Sequence, residues 1–186
     1  TNLVSGDTNG RSDIFVYDRS TGAIDRVSVS SSGAQGDNSC DDVPAISADG
    51  SQVAFRSRSS NLVGVATNGY DNIFVHDMAT GATEIASVNS KGEAGNNYSN
   101  HPAISADGNY VAFESGADNL VKNASGANVY YRDRAAGSTN VVADGNGSSS
   151  FAAISGDGLK VAFQSYATDL SRDDNDSLSD IYMNAR

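Results

Sequence analysis

The sequence predicts an all-β protein made of four-stranded antiparallel β-propeller blades. Three observations carry that prediction. The segment PAISADGSQVAF (44–55) returns as PAISADGNYVAF (102–113) and as AAISGDGLKVAF (152–163). A second segment, DIFVYDRSTGA (13–23), returns as NIFVHDMATGA (72–82), as NVYYRDRAAGS (128–138) and, shortened, as DIYMNAR (180–186). No stretch shows the 3.6-residue apolar period of a helix. Leucines of an Asn-Leu or Asp-Leu pair mark the period: Leu3, Leu62, Leu120 and Leu170 lie 59, 58 and 50 residues apart. Four short strands recurring at such a spacing are the mark of a propeller blade, whose faces are buried only by stacking on neighbours.

The elements follow in order along one period. Pro44-Ala45-Ile46-Ser47 is the first strand. Asp49-Gly50 is a tight-turn signal, because glycine accepts the positive φ that short hairpins demand. Val53 to Ser57 is the second strand, with Val53 and Phe55 on one face. A polar loop leads to the third strand, Ile73-Phe74-Val75-His76, whose β-branched and aromatic residues suit a buried pleated surface. Thr80-Gly81 turns the chain into a fourth strand around Thr83 to Val88. The first copy of the last two strands runs Ile14–Tyr17 and Ile24–Val29.

Laid over the whole chain, this register gives a single propeller segment, 1–186. It divides into an outer half-blade at 1–31, full blades at 43–90 and 101–143, and the inner three strands of a blade at 151–186. About three periods plus an overlap do not close a ring, which takes about four to eight blades. Both terminal pieces contain a third strand, so they cannot complete one blade together. The expectation is a section of a larger propeller, with further blades or neighbouring chains at the open edges near Ile14, Val16, Ile181 and Met183. The start at Thr1, without Met or a leader, fits an excised or processed piece.

Composition narrows the function classes. The 186 residues carry 12 Lys+Arg against 23 Asp+Glu, a net charge of −11. That balance argues against a nucleic-acid partner and against docking on an anionic membrane. No apolar run approaches the ~20 residues of a spanning helix, so no membrane insertion is expected. A single cysteine, Cys40, excludes an intrachain disulfide framework and a cysteine-based zinc site.

The run P-x-x-S-x-D-G-x-x-V-A-F followed by D-I-F-V-x-D-x-x-T-G resembles the TolB-type, WD-repeat-like β-propeller family over essentially the whole chain. The resemblance implies blades of a kind found in periplasmic binding proteins, peptidase gating domains and polysaccharide lyases. The reading it favours is a non-catalytic binding or scaffold module, secreted or periplasmic. The alternative is the propeller portion of a lyase or hydrolase whose catalytic groups lie outside this segment. Lyases of this kind hold a metal partly through a channel histidine. His101 stands at the start of an innermost strand, but its equivalents are Val43 and Phe151, and one histidine does not make such a site.

The residues themselves suggest two candidate sites and no catalytic residue, since G-x-S-x-G, H-E-x-x-H and P-loop patterns are all absent. The loop before the third strand is acidic in its first and last copies. Asp7, Asn9 and Asp13 recur as Asp174, Asp176 and Asp180, placing oxygen side chains at positions 1, 3 and 7. Ca²⁺ takes such alternating oxygen ligands. The same residues would equally cap a hairpin through Asx-turns. The middle copies, with Ala66, Asn68 and Asn72 and with Lys122, Ala124 and Asn128, lack the charge for a metal. The long polar connections from fourth to first strand are the second candidate, a loop face for a protein or carbohydrate partner. Tyr98 is the expected anchor there, with Asn96 and His101 beside it. Asp18, Asp77 and Asp133 are expected to serve turns. His76, in the place of Tyr17 and Arg132, is expected to be exposed.

Overall fold

The computed structural model describes residues 3–124, 126–172, 174, 176 and 178–185. Thirteen strands, and no helix among the described residues, form four antiparallel sheets. The first sheet pairs β1 (Phe15–Tyr17) with β2 (Ile24–Arg26). The second has the order β3 (Ala45–Ile46), β4 (Gln52–Ser57), β5 (Asn72–Asp77), β6 (Thr83–Ile85). The third repeats it with β7 (Ser99–Ile104), β8 (Tyr110–Ser115), β9 (Asn128–Asp133), β10 (Ser138–Val141). The fourth has three strands, β11 (Ser149–Ile154), β12 (Lys160–Ser165) and β13 (Asp180–Ala185). These are propeller blades in sequence, and the chain does not close them into a ring.

Strand alternation sends side chains to two different interfaces. Val53, Phe55 and Phe74 pack back onto Ile14, Val27 and Cys40 of the first blade. Their neighbours Ala54, Ile73 and Val75 pack forward onto Val111, Phe113 and Tyr130 of the third. Ala112 and Val129 in turn meet Val161 and Phe163 of the fourth. Both faces of a middle blade are therefore apolar, which explains the near-continuous hydrophobic runs. One cross-strand aromatic pair recurs in each interface: Phe55–Phe74, Phe113–Tyr130 and Phe163–Tyr182, with ring centroids 5.8, 6.0 and 5.9 Å apart. Burying each ring of the inner pairs contributes about 2 kcal/mol.

The S-x-D-G motif builds the hairpin between first and second strands. The Ser47 hydroxyl donates to Asp49 Oδ1 (2.7 Å) and accepts the Gln52 N–H (3.0 Å), while Asp49 also accepts the Ser51 N–H (3.0 Å). Ser105–Asp107 and Ser155–Asp157 repeat the arrangement. Gly50, Gly108 and Gly158 follow at φ 75, 72 and 71°, where only glycine is unstrained. These turns also join the blades, since Ala48 N–H donates to Ala106 O (3.0 Å) and Ala106 N–H to Gly156 O (2.9 Å).

The fourth strands end sooner than the sequence suggests. After Arg26 and Ile85 the chain leaves the sheet to form a small loop, bridged at Val29–Gln35 and Val88–Ala94. Thr83 Oγ1 then donates to Val29 O (2.5 Å), and Thr139 Oγ1 to Val88 O (2.5 Å), clipping each blade to its predecessor. This clip corrects the expectation for His76. It is buried, with Nδ1 2.8 Å from Thr83 Oγ1, and burial lowers its pKa.

Candidate functional site

Strands alternate in direction, so the loops from second to third strand and from fourth to first emerge at one end, opposite the S-x-D-G turns. The residue before each marker leucine ties these two loops together. Asn61, Asn119 and Asp169 accept backbone N–H groups from Asp37, Asn96 and Asn146, at 3.0, 2.9 and 2.9 Å. The last three residues answer with bonds from Ser60, Asp118 and Thr168 N–H. Asn96, expected in a partner-binding loop, is thus part of a repeated latch, and its Nδ2 also donates to Asp118 (2.6 Å). Tyr98 is half-buried and its ring lies over Gly116, where an added Cβ would come within 2.9 Å of it.

The two acidic loops differ in what they hold. In the first, Arg26 Nη1 lies 3.1 Å from Asp7 Oδ1 and 3.8 Å from Asp13 Oδ2, with side-chain exposures of 11% for Arg26 and 1% for Asp13. The place a cation would take is filled by a guanidinium from β2. Asn9 is also engaged, donating to Gly36 O (3.1 Å) and accepting the Arg11 N–H (3.0 Å). In the last loop, carboxylate oxygens of Asp174, Asp176 and Asp180 lie within 4.8 Å of one another. Tyr182 donates its hydroxyl to Asp174 Oδ2 (2.5 Å), which raises the Tyr182 pKa to about 12. Asp174 Oδ1 is buried without a hydrogen-bond partner.

The middle copies show why Arg26 is needed. Asp13 aligns with Asn72 and Asn128, and Arg26, opposite Phe15, aligns with Ile85 and Val141. Asn72 is fully buried, donates Nδ2 to the carbonyls of Thr67 and Tyr70, and accepts from Ser87 Oγ. An aspartate there cannot donate, and its second oxygen requires a cation. Acid pairs with arginine across the blade, and amide pairs with an aliphatic residue. The exchange is readable from the repeats, yet Arg26 escapes a search confined to the loop itself.

His101 belongs to a separate cluster at the inner strand. It sits at a bulge in β7 with φ 50°, and its equivalent Phe151 sits at the matching bulge in β11 with φ 52°. Such a backbone costs a bulky residue about 1–3 kcal/mol. Asp42 of the preceding blade holds it, accepting the His101 N–H at Oδ2 (2.7 Å). The imidazole lies between two carboxylates, with Nε2 3.8 Å from Asp42 Oδ1 and Nδ1 3.1 Å from Glu114 Oε2. The acids face opposite ring nitrogens, so they do not converge with the ring on one ion, and Nδ1 and Glu114 Oε2 are buried without a hydrogen bond. Phe151 lies 4.8 Å from the ring, centroid to centroid, and Phe151 and Val43 are exposed. Val43, His101 and Phe151 thus form a row across the inner strands of three blades. Asp42 and Glu114 were not singled out in the sequence. The signal for Glu114 is a polar column in the second strand, Arg56, Glu114 and Gln164, with an acid only in the blade that carries the histidine.

The chain has a TolB-type β-propeller fold, with an open set of blades. Among solved structures it is similar to TolB from Acinetobacter baumannii, at 20% identity and TM-score 0.54 over 92% of this chain. It is also similar to a TolB structure from Agrobacterium tumefaciens (16%, 0.51, 95% of this chain) and to the tricorn protease (11%, 0.57, 94% of this chain). The chain spans 38%, 53% and 15% of those three proteins' own lengths. No protein-family description matches the sequence, and no curated protein matches it. Among the described residues no helix is long and apolar enough to cross a membrane.

Proposed function

We propose that this chain is a non-catalytic binding module, secreted or periplasmic, which receives an extended protein segment along Val43, His101 and Phe151. The observation that carries the reading is the strained, carboxylate-held His101 beside the exposed Phe151. Strained backbone held by neighbouring groups is characteristic of binding sites. The row offers apolar surface interrupted by one polar ring, which suits a peptide better than a carbohydrate. The placement outside the cytoplasm rests on the resemblance to periplasmic propellers. Peptides selected from a displayed library against the whole chain should lose at least tenfold in affinity for Phe151→Ala and for His101→Ala. Selected peptides indifferent to both substitutions would sink the reading, and sugar binding lost in the same variants would redirect it to carbohydrate.

A second reading is favoured by the similarity to the tricorn protease, and to a prolyl endopeptidase structure with TM-score 0.56 over 93% of this chain. In it the blades are the propeller part of a hydrolase or lyase whose catalytic groups lie elsewhere. A catalytic domain in the full-length gene product would decide for this second reading.

A further inference from the structure

We propose that the outer rim of the seam between the second and third blades binds a tetrahedral oxyanion, a phosphate or sulfate group, through Lys91, Lys122 and the Ser90 hydroxyl. Both blades carry all four strands. A groove of ≈ 410 Å³ opens at their seam, lined by Asn89, Ser90, Lys91, Leu120, Lys122 and Thr139. It is made of the small loop after β6, the loop after β8, and β10, so it lies apart from the inner-strand row of His101.

The preceding seam, between the first and second blades, shows what is particular here. Gly33 N–H donates to Ser30 O and Gly92 N–H to Asn89 O, which aligns Ser32 with Lys91. The marker leucines Leu62 and Leu120 align Gly64 with Lys122. Arg132, donating Nη1 to Thr139 Oγ1 (3.1 Å), stands where His76 meets Thr83 Oγ1, and burial lowers the His76 pKa. Three positions neutral at one seam are therefore cationic at the next, in a chain of net charge −11. The serine changes too. Ser31 donates its hydroxyl to Thr83 O (3.3 Å), whereas Ser90 Oγ accepts the Thr139 N–H (3.1 Å) and donates to no group among the described residues.

These donors are not spent inside the protein. Lys91 and Lys122 form no ion pair among the described residues. The two acids nearby are held by amides instead: Asp118 accepts from Asn96 Nδ2 (2.6 Å), and Glu93 from Asn89 Nδ2 (2.7 Å). Arg132 lies behind the groove wall, where Nη1 also reaches Asn89 O (3.4 Å), and adds its charge from there. An ammonium is a compact charge that can turn its donors toward an anion. Two ammoniums and a hydroxyl from separate loops suit an anion with three or more acceptor oxygens, where a carboxylate offers two.

The test titrates the whole chain with inorganic phosphate, inorganic sulfate and succinate at constant ionic strength, followed by backbone amide NMR. We expect saturable shifts at residues 89–92 and 119–122 with phosphate or sulfate, the tighter of the two naming the group, and at least tenfold weaker binding of succinate. Lys91→Ser and Lys122→Gly install residues that the preceding seam already carries, so the fold should hold, and each should weaken binding at least tenfold. Lys91→Arg should keep it within about threefold, and Lys160→Ser, in the last blade, should leave it unchanged. Absent or non-saturating shifts overturn the proposal. So does succinate binding as tightly as phosphate and sulfate, or a loss in Lys160→Ser equal to that in Lys91→Ser.

Discussion

The first and last acidic loops are near-copies in sequence and opposites in electrostatic state. In the first, a buried guanidinium from the neighbouring strand neutralises Asp7 and Asp13. In the last, three carboxylates face one another, and among the described residues the donor to Asp174 is a tyrosine hydroxyl. The loop residues do not make this difference. It comes from what lies beside them: β2 sets Arg26 against the first loop, and no such cation faces the last loop among the described residues. A site in a repeat protein is thus a property of two adjacent elements, and the loop motif alone describes half of it.

The largest effect should come from breaking the first loop's compensation. Arg26→Ile leaves Asp7 and Asp13 buried without their cation, and removing one partner of a buried pair costs about 3 kcal/mol. Asp13→Asn combined with Arg26→Ile copies the middle blades and should return stability to within about 1 kcal/mol of the parent, because packing replaces the pair. Urea unfolding of the four proteins in the cycle measures this. A double variant as weak as the single would mean that charge compensation is not what couples these positions.

A smaller, local effect should appear in the thiol of Cys40. Cys40 is packed in the first interface with Ile14 and Val27, and burial raises its pKa to about 11. At pH 8 it should resist alkylation in the parent protein. Arg26→Ile should speed labelling by at least tenfold by loosening the half-blade, while Asp180→Asn should leave it unchanged. Equal acceleration by both variants would show that the two loops are not independent.

Acid should sharpen the contrast further. Asp18 closes the turn between β1 and β2, and its carboxylate, accepting bonds from the Ser20 side chain and backbone, has a pKa lowered to about 2. A carboxyl group with a lower pKa folded than unfolded stabilises the fold above its ordinary value of about 4 and loses that contribution as pH falls toward 2. The last blade has Ala185 at the equivalent position. Lowering the pH from 5 to 2 should therefore open the β1–β2 turn in a way that Asp18→Asn abolishes, read by amide exchange at Gly22, whose N–H donates to Asp18 O (2.8 Å).

The blade was legible because its signals are local. Repetition sets the period, alternation sets the faces, and Asp49-Gly50 with its two sister turns needs only neighbouring atoms. The sites were less legible because each depends on a residue far along the chain. Arg26 reaches Asp7 across a strand, and Asp42 reaches the His101 backbone from another blade. His76 was misread for the same reason, since Thr83, clipped to Val29 of the preceding blade, covers it. Comparing the columns of the repeats recovers part of this, as the exchange of Asp13 and Arg26 for Asn72 and Ile85 shows.

The smallest expected effect isolates the last loop by itself. The Tyr182 hydroxyl donates to Asp174, and that bond, ahead of burial and the nearby charges of Asp180 and Asp176, holds the phenol neutral to about pH 12. Phe15 stands in the first loop's counterpart position and has no hydroxyl, so only the last loop carries this signature. A raised phenol pKa contributes stability that is complete below the ordinary value near 10 and is lost as pH climbs through 12. Asp174→Asn removes the charge while keeping the side chain's shape, so the Tyr182 titration should move down toward 10, with global stability at pH 7 little changed. Ultraviolet difference titration of the parent and variant, with Tyr182→Phe to assign the signal, reads the shift. A Tyr182 titration unmoved by Asp174→Asn would show that the carboxylate is turned to solvent and that the last loop is an open acidic surface with no organised edge.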